Sequence, residues 1–296
     1  GKLENVSRHK NRPEFGFFKK DVQDLRPVKK AFARADVIVH LAAYKIPRYG
    51  NALQTLMINN RGTQNVLEAA VVSRAKCIVA STSDVYGKNP VLPFHEESDL
   101  VMGPSTVRRW SYAVSKLFDE QLCLAYQEEH KIPVVIPRFF GSYGPRYHLS
   151  WWGGPIPVFV GAALSGDELD IHGDGNQTRT FQYVSDTVDA LMACIESEAA
   201  DGQVLNIGGE TEISIRELAG AVWRLCGNQG PPRVRLVPYS SFSGGRYEDV
   251  GRRVPDTQKA RRLLGAISRV PLEEGLAMTI AWQRAEQDKR ASARRV

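Results

Sequence analysis

Cysteine is scarce: the 296 residues contain four, Cys77, Cys123, Cys194 and Cys226. They lie far apart inside apolar-patterned segments, and no CxxC spacing occurs that would seat zinc. A disulfide scaffold and a metal centre are excluded, and buried free thiols are expected. Long apolar runs are lacking too: none approaches the roughly 20 residues that span a bilayer. No charged-then-apolar export signal opens the chain. A membrane partner is therefore not expected, and the location read from the sequence is cytoplasmic. Internal repeats and low-complexity tracts are also missing, which excludes a solenoid and global disorder.

A hydrophobic content of 43% is enough for a sizeable core, and this length fits one large domain or a large domain with a smaller lobe. The net charge of +6 gives little reason to expect nucleic acid. Much of the excess falls in the tail from Arg284 to Arg295, which a solvated helix end explains. The remaining arginines suit an anionic small molecule, because guanidinium forks match phosphate oxygens in pairs.

The first two-thirds alternates short β-rich runs with amphipathic stretches, the pattern of an α/β protein with a doubly wound parallel sheet. Strands are expected at residues 15–19, 37–42, 76–81 and 134–139, and helices near 27–35, 53–72 and 112–130. The third helix places Leu117, Cys123 and Leu124 on one side, with Asp119, Glu120, Glu128 and Glu129 largely elsewhere. From Gly141 the texture turns to glycine, proline and aromatics. Residues 1–140 thus read as the main domain and 141–296 as mainly a smaller lobe, with 180–208 and 270–290 returning to the main body.

The strongest chemical signal joins Ser81-Thr82-Ser83-Asp84-Val85-Tyr86-Gly87 at a strand end to Tyr112-Ala113-Val114-Ser115-Lys116 at a helix start. Four residues apart on a helix, Tyr112 and Lys116 face the same side. A phenol of pKa near 10 is a poor base at neutral pH, and a nearby ammonium lowers that pKa. Thr82 is then placed to hydrogen-bond the same substrate hydroxyl. A lone YxxxK also occurs by chance, with the ring packed and the lysine in solvent; the strand-end motif makes the catalytic reading the stronger one.

With these motifs stand Lys20-Asp21-Val22, His40-Leu41-Ala42-Ala43, Asn59-Asn60-Arg61-Gly62-Thr63, Pro137-Arg138-Phe139-Phe140, Tyr143-Gly144-Pro145-Arg146, His172-Gly173-Asp174-Gly175 and Gln177-Thr178-Arg179. As a set they resemble, nearly end to end, the extended short-chain dehydrogenase/reductase family, especially its nucleotide-sugar epimerases, dehydratases and decarboxylases. The resemblance implies a Rossmann-like sheet, NAD as cofactor, a nucleotide-sugar substrate (UDP-sugar favoured) and a homodimer formed through the helices at 53–72 and 112–130. It implies that Asp21 and Val22 border the adenine and that Leu41, Ala42, Ala43 and Pro137 line the cofactor. Tyr112 would be the general base, Lys116 would also bind the nicotinamide ribose, and Thr82 would be the catalytic Ser/Thr. Asn59 would prop the active-site loops, and Arg179 and Arg253 would hold the diphosphate.

Plainer roles stand beside these. Asp21 alternatively serves only a turn; His40 reads as a satisfied strand-end histidine; Arg179 and Arg253 are alternatively surface ion pairs. Trp151 and Trp152 either pack under the lobe or stack on a ligand. Such sheets normally open with a glycine-rich turn whose backbone N–H groups hold the pyrophosphate. Only Gly1 precedes the first expected strand and Gly16 falls within it, so that first β-α-β unit is expected to lie outside residues 1–296, and these residues alone to bind NAD weakly or not at all. The residue that separates NAD from NADP would lie there too.

The implied chemistry oxidises a sugar hydroxyl to a transient 4-keto sugar. The 4,6-dehydratases of the family follow their Thr with Asp and Glu, an acid and a base for removing water. Here Ser83 and Asp84 fill those positions and join the catalytic set. The reading placed first is a 4-epimerase of a UDP-hexose or UDP-hexuronate, with a UDP-glucuronate decarboxylase next, a 4,6-dehydratase less favoured, and a non-catalytic binding member of the fold as the reading of another class. Gly141 stands where the family often has a substrate-touching Asn.

Overall fold

The computed structural model describes residues 3–45, 51–241, 247–265 and 268–293. In chain order the elements are α1 (Leu25–Phe32), β1 (Val37–His40), α2 (Ala52–Ser73), β2 (Lys76–Val79), β3 (Ser81–Thr82), α3 (Trp110–His130), β4 (Val134–Phe139) and β5 (Gly141–Tyr143). There follow α4 (Pro155–Ser165), β6 (Leu169–His172), β7 (Thr178–Tyr183), α5 (Val184–Glu196), β8 (Gln203–Ile207) and β9 (Glu212–Ser214). The last are α6 (Ile215–Leu225), β10 (Val234–Val237), β11 (Arg252–Arg253), α7 (Gln258–Leu264) and α8 (Leu272–Ala293).

The main sheet is entirely parallel: β1, then β2 with β3 as its interrupted continuation, then β4, then β8. Its strands are runs of Val and Ile because both faces are covered. On one face Val66, Leu67 and Ala70 of α2 and Cys123 of α3 pack on Ile38, Val79, Val134 and Ile136. On the other, Ala190 and Cys194 of α5 and Ala260 of α7 meet Ile78, Val135 and Leu205. Asn51 caps α2 by accepting from the Gln54 N–H at 3.2 Å, and the helix ends on Arg74 in the left-handed region (φ 56°), so its length is fixed at both ends.

Two smaller sheets build the lobe. β7 is flanked by β5 and β11, both parallel, and pairs antiparallel with β9; β6 pairs with β10. Their core joins Phe159 and Val160 of α4, Leu218 and Val222 of α6, and Leu276 and Ile280 of α8. No helix of the described residues is long and apolar enough to cross a membrane.

Four expectations are corrected. Residues 15–19 form no strand: no neighbouring strand among the described residues offers them a ladder, and Phe17 and Phe18 are exposed. Residues 178–183 belong to the lobe sheet; β8 pairs with β4, and α5 packs on the main sheet. The final helix packs in the lobe, where Leu276 is fully buried. Asp119 and Glu120 lie on the buried side of α3, at 1% and 3% exposure, because each meets a buried cation there: Lys116 for Asp119 and Arg138 for Glu120.

Candidate active site

The C-terminal ends of β1, β3 and β4 open onto two adjoining cavities of about 230 and 660 Å³. Thr82, Phe140, Ser142, Tyr147, Trp151 and Arg253 line both. Leu41, Ala43, Asp84, Arg109 and Tyr112 line the larger one only; Ser83, His172, Gln177 and Arg179 line the smaller, on the lobe side. Open α/β sheets bind ligands at this end.

Tyr112 stands in the first turn of α3 and lines the larger cavity with Thr82, close enough for the Thr82 hydroxyl to act on its phenol. Thr82 Oγ1 also accepts from the Asp84 N–H at 3.2 Å. Asn59 is buried and makes a clamp: its amide donates to Ser115 Oγ at 2.9 Å and to the Tyr44 carbonyl at 3.2 Å, and accepts from the Tyr44 N–H at 2.7 Å. It thus ties the loop after β1 to the helix that carries Tyr112.

Lys116 departs from expectation. Its ammonium is buried and 2.9 Å from Asp119 Oδ2, and it lines neither cavity. The phenol of Tyr112 is pushed above its ordinary value, not lowered. Burial is the main cause, followed by the carboxylates of Asp84 and Asp119, while the Thr82 bond acts the other way. A lysine whose charge is neutralised by its own neighbour stabilises a phenolate little.

Asp84 has the opposite fate. Burial would raise its pKa, but Arg109 and Arg253, helped by Arg179, hold the carboxyl well below the usual range. Arg109 Nη2 lies 3.3 Å from Asp84, and Arg253 makes a short ion pair with it. The pairing of β7 with β11 sets Arg179 directly opposite Arg253. Arg179 bonds Asp249 at 3.0 Å, and burial together with the Arg253 charge pulls it down to about 10, still protonated near neutrality. Arg109 and Arg179 are therefore buried and Arg253 half-buried, and all three line the cleft, unlike surface ion pairs.

The other expected residues scatter. Leu41, Ala42 and Ala43 form an exposed rim, of which Leu41 and Ala43 reach the larger cavity. Asp21 is exposed and accepts from the Gln23 N–H at 2.9 Å, a turn contact, and the Val22 carbonyl accepts from Asn65 at 2.9 Å; neither lines a cavity. Pro137 is buried inside β4, paired with Leu205, and lines neither. Trp151 stacks on His172 with centroids 3.8 Å apart, and Trp152 meets Tyr44 edge-on at 5.6 Å. Gly141 is required by packing: a Cβ there would lie 2.5 Å from the Thr180 carbonyl oxygen. Arg109, Tyr147 and Asp249 were not anticipated. Of these only Arg109 left a signal, three residues before Tyr112 and so one helical turn away.

His40 is buried, its Nε2 makes no hydrogen bond, and burial, aided by Lys116, lowers its pKa from 6.5 to about 3. It is not the satisfied histidine expected. Below pH 6.5 the unfolded chain binds a proton that the folded chain refuses, so this contribution to stability is complete above pH 6.5 and declines as pH falls toward 3. Between pH 7 and pH 4 it amounts to roughly 3 kcal/mol. Urea denaturation at both pH values should show His40→Leu losing less stability on acidification than the parent; equal losses would refute the assignment.

A parallel sheet opening onto a cleft with a Thr–Tyr pair and an arginine cluster defines a nucleotide-sugar enzyme of the extended short-chain dehydrogenase/reductase class. The family model described as GDP-mannose 4,6 dehydratase matches residues 1–279, and the chain belongs to that family. It is 39% identical over 251 residues to a UDP-N-acetyl-alpha-D-glucosaminuronate decarboxylase of Bacillus cytotoxicus, covering 84% of this chain and 77% of that one. It is 35% identical over 294 residues to UDP-glucuronic acid decarboxylase 1 of Xenopus tropicalis, covering 99% of this chain and 66% of that one. Among solved structures, the UDP-glucuronic acid 4-epimerase of Bacillus cereus in complex with UDP-glucuronic acid and NAD superimposes with a TM-score of 0.84 at 27% identity, covering 96% and 86% of the two chains.

Proposed function

We propose that this protein is an NAD-dependent decarboxylase of a UDP-hexuronate. The observation that carries the choice of reaction is Asp84, locked as a carboxylate by Arg109 and Arg253 beside the Thr82–Tyr112 pair. Eliminating water from a sugar needs a proton donor at the departing hydroxyl. Ser83 and an ionised Asp84 supply none. A carboxylate β to a ketone needs no such donor: the bond between carbons 5 and 6 breaks, its electron pair passes into the enolate, carbon dioxide leaves, and a proton is added at carbon 5. The decarboxylase relatives support this order, which reverses the one read from sequence.

The larger cavity fits the nicotinamide end of the dinucleotide, having a wall of Leu41, Ala43 and Ala80 and, facing it, the hydroxyls of Thr82 and Tyr112. Bound there, NAD would supply reversible hydride transfer at sugar carbon 4. Tyr112 removes the proton of the 4-hydroxyl and Thr82 orients that hydroxyl. Arg179 and Arg253 bind the diphosphate. Asn59 keeps the loop and helix in register. Trp151 and the residues around it exclude water. The exposed apolar residues Leu53 and Met57 on α2 and Val114 and Phe118 on α3 support a homodimer through these helices; light scattering of the full-length protein should give twice the monomer mass.

Incubation of the full-length enzyme with NAD and UDP-glucuronate, or with its N-acetylglucosaminuronate counterpart, should release carbon dioxide and give a UDP-pentose by NMR. A second reading, 4-epimerisation of the same substrate class, is favoured by the Bacillus cereus neighbour; an epimeric UDP-hexuronate without gas release would establish it instead.

A further inference from the structure

Arg109 holds a position that neither the diphosphate nor the acid–base pair accounts for. It is 7% exposed, precedes α3 directly, and lines the larger cavity together with Thr82 and Tyr112 but not the lobe-side cavity that Arg179 lines. Its ion pairs are shared. Asp84, at 3.3 Å, is also bound by Arg253, and Asp249, at 3.9 Å, is bound more closely by Arg179 at 3.0 Å. Its Nε is buried and makes no hydrogen bond. Three guanidiniums thus converge on two carboxylates, and Lys45, which senses the Asp84 charge, lines the same cavity. The rings of Trp110 and Tyr247, 4.8 and 6.0 Å from the Arg109 guanidinium carbon, give it further packing, but a buried cation whose carboxylate partners are both shared still favours an added anion.

The position of each arginine sorts the anions. Arg179 faces only the lobe-side cavity, Arg253 faces both, and Arg109 faces only the one that contains Tyr112. A diphosphate spanning Arg179 and Arg253 leaves Arg109 at the sugar end, next to the phenol that acts on carbon 4. In a hexuronate the neighbouring carbon 5 carries a carboxylate, and a planar guanidinium at the cavity wall matches such a group in a two-point contact.

We propose that Arg109 is the specificity-determining residue that binds the sugar carboxylate, so that the site takes a nucleotide-linked uronate in preference to the neutral hexose. This rests on the UDP-hexuronate reading given above. Arg109 would act mainly on affinity and KM, because an ionic contact to the carboxylate is present before reaction and is lost when carbon dioxide departs.

The test is calorimetric titration of the full-length, NAD-loaded protein and its Arg109→Gln variant with UDP, UDP-glucose and UDP-glucuronate. The expected result is that Arg109→Gln weakens UDP-glucuronate roughly tenfold to hundredfold and leaves UDP and UDP-glucose unchanged. Equal weakening of all three would assign Arg109 to the diphosphate, and no change in any would remove it from the site; either overturns the proposal. Arg109→Lys keeps a cation beside Asp84 and should show a smaller loss, again confined to UDP-glucuronate, which provides the same comparison should the glutamine variant not fold. Carbon dioxide release by the parent is scored separately. Release without a selective effect of the variants defeats only the role of Arg109, whereas selective binding without release defeats only the decarboxylase reading.

Discussion

Tyr112→Phe should lower kcat by roughly 10²- to 10⁴-fold, the range that a positioned acid–base group contributes, while affinity for the nucleotide sugar changes little. The phenylalanine ring fills the same space, and what is lost is the hydroxyl that meets Thr82. Losing one polar contact of that kind costs at most about 1 kcal/mol of stability, so the melting temperature should move by only a few degrees. The phenol starts above its ordinary pKa under the influence of burial, Asp84 and Asp119, so the parent rate should rise with pH through neutrality. A Tyr112→Phe enzyme of undiminished kcat, measured by product NMR, would remove Tyr112 from the chemistry.

Glu120→Ala should destabilise the fold by about 3–5 kcal/mol, the cost of leaving one member of a buried ion pair alone, and lower the melting temperature by roughly 10 °C. Glu120 accepts from Arg138 through Nε at 3.0 Å and Nη2 at 2.7 Å and makes a short bond with Ser81. Arg138 also donates to the Glu96 carbonyl at 3.0 Å; Glu96 Oε1 accepts from the Asn206 N–H at 2.8 Å; and Asn206 Oδ1 accepts from the Tyr86 hydroxyl at 2.7 Å. One polar chain therefore ties α3, β3, β4 and β8 together beneath Thr82. Replacing both charges, as Glu120→Leu with Arg138→Met, should recover much of the loss because no unpaired charge remains. Denaturant titrations of the two variants decide it; a double variant no more stable than Glu120→Ala would show that the network acts through shape and not through charge.

The strands and helices from residue 37 to residue 139 were legible because Val- and Ile-rich runs and helical periodicity are local signals. Residues 15–19 misled for the same reason: they have β propensity, but a strand also needs a neighbour. Motif context singled out Tyr112, Thr82 and Asn59, and the fold places the first two on the wall of one cavity. The electrostatics were not. Whether Lys116 faces a phenol or a carboxylate depends on Asp119 being buried, and a helical pattern that assigns every acidic residue to solvent hides this. Arg109 stands more than a hundred residues before Asp249 and Arg253 in sequence, and the pairing of β11 with β7, itself non-local, sets Arg253 beside Arg179.

Because Gly141 has no room for a side chain against Thr180, the wall of the smaller cavity at that point is bare peptide. Substitution cannot readily retune this stretch of the pocket, since any larger residue must first displace a neighbouring strand. Variation in sugar preference among close relatives of this chain that keep this glycine should therefore concentrate in the residues facing it across the cleft.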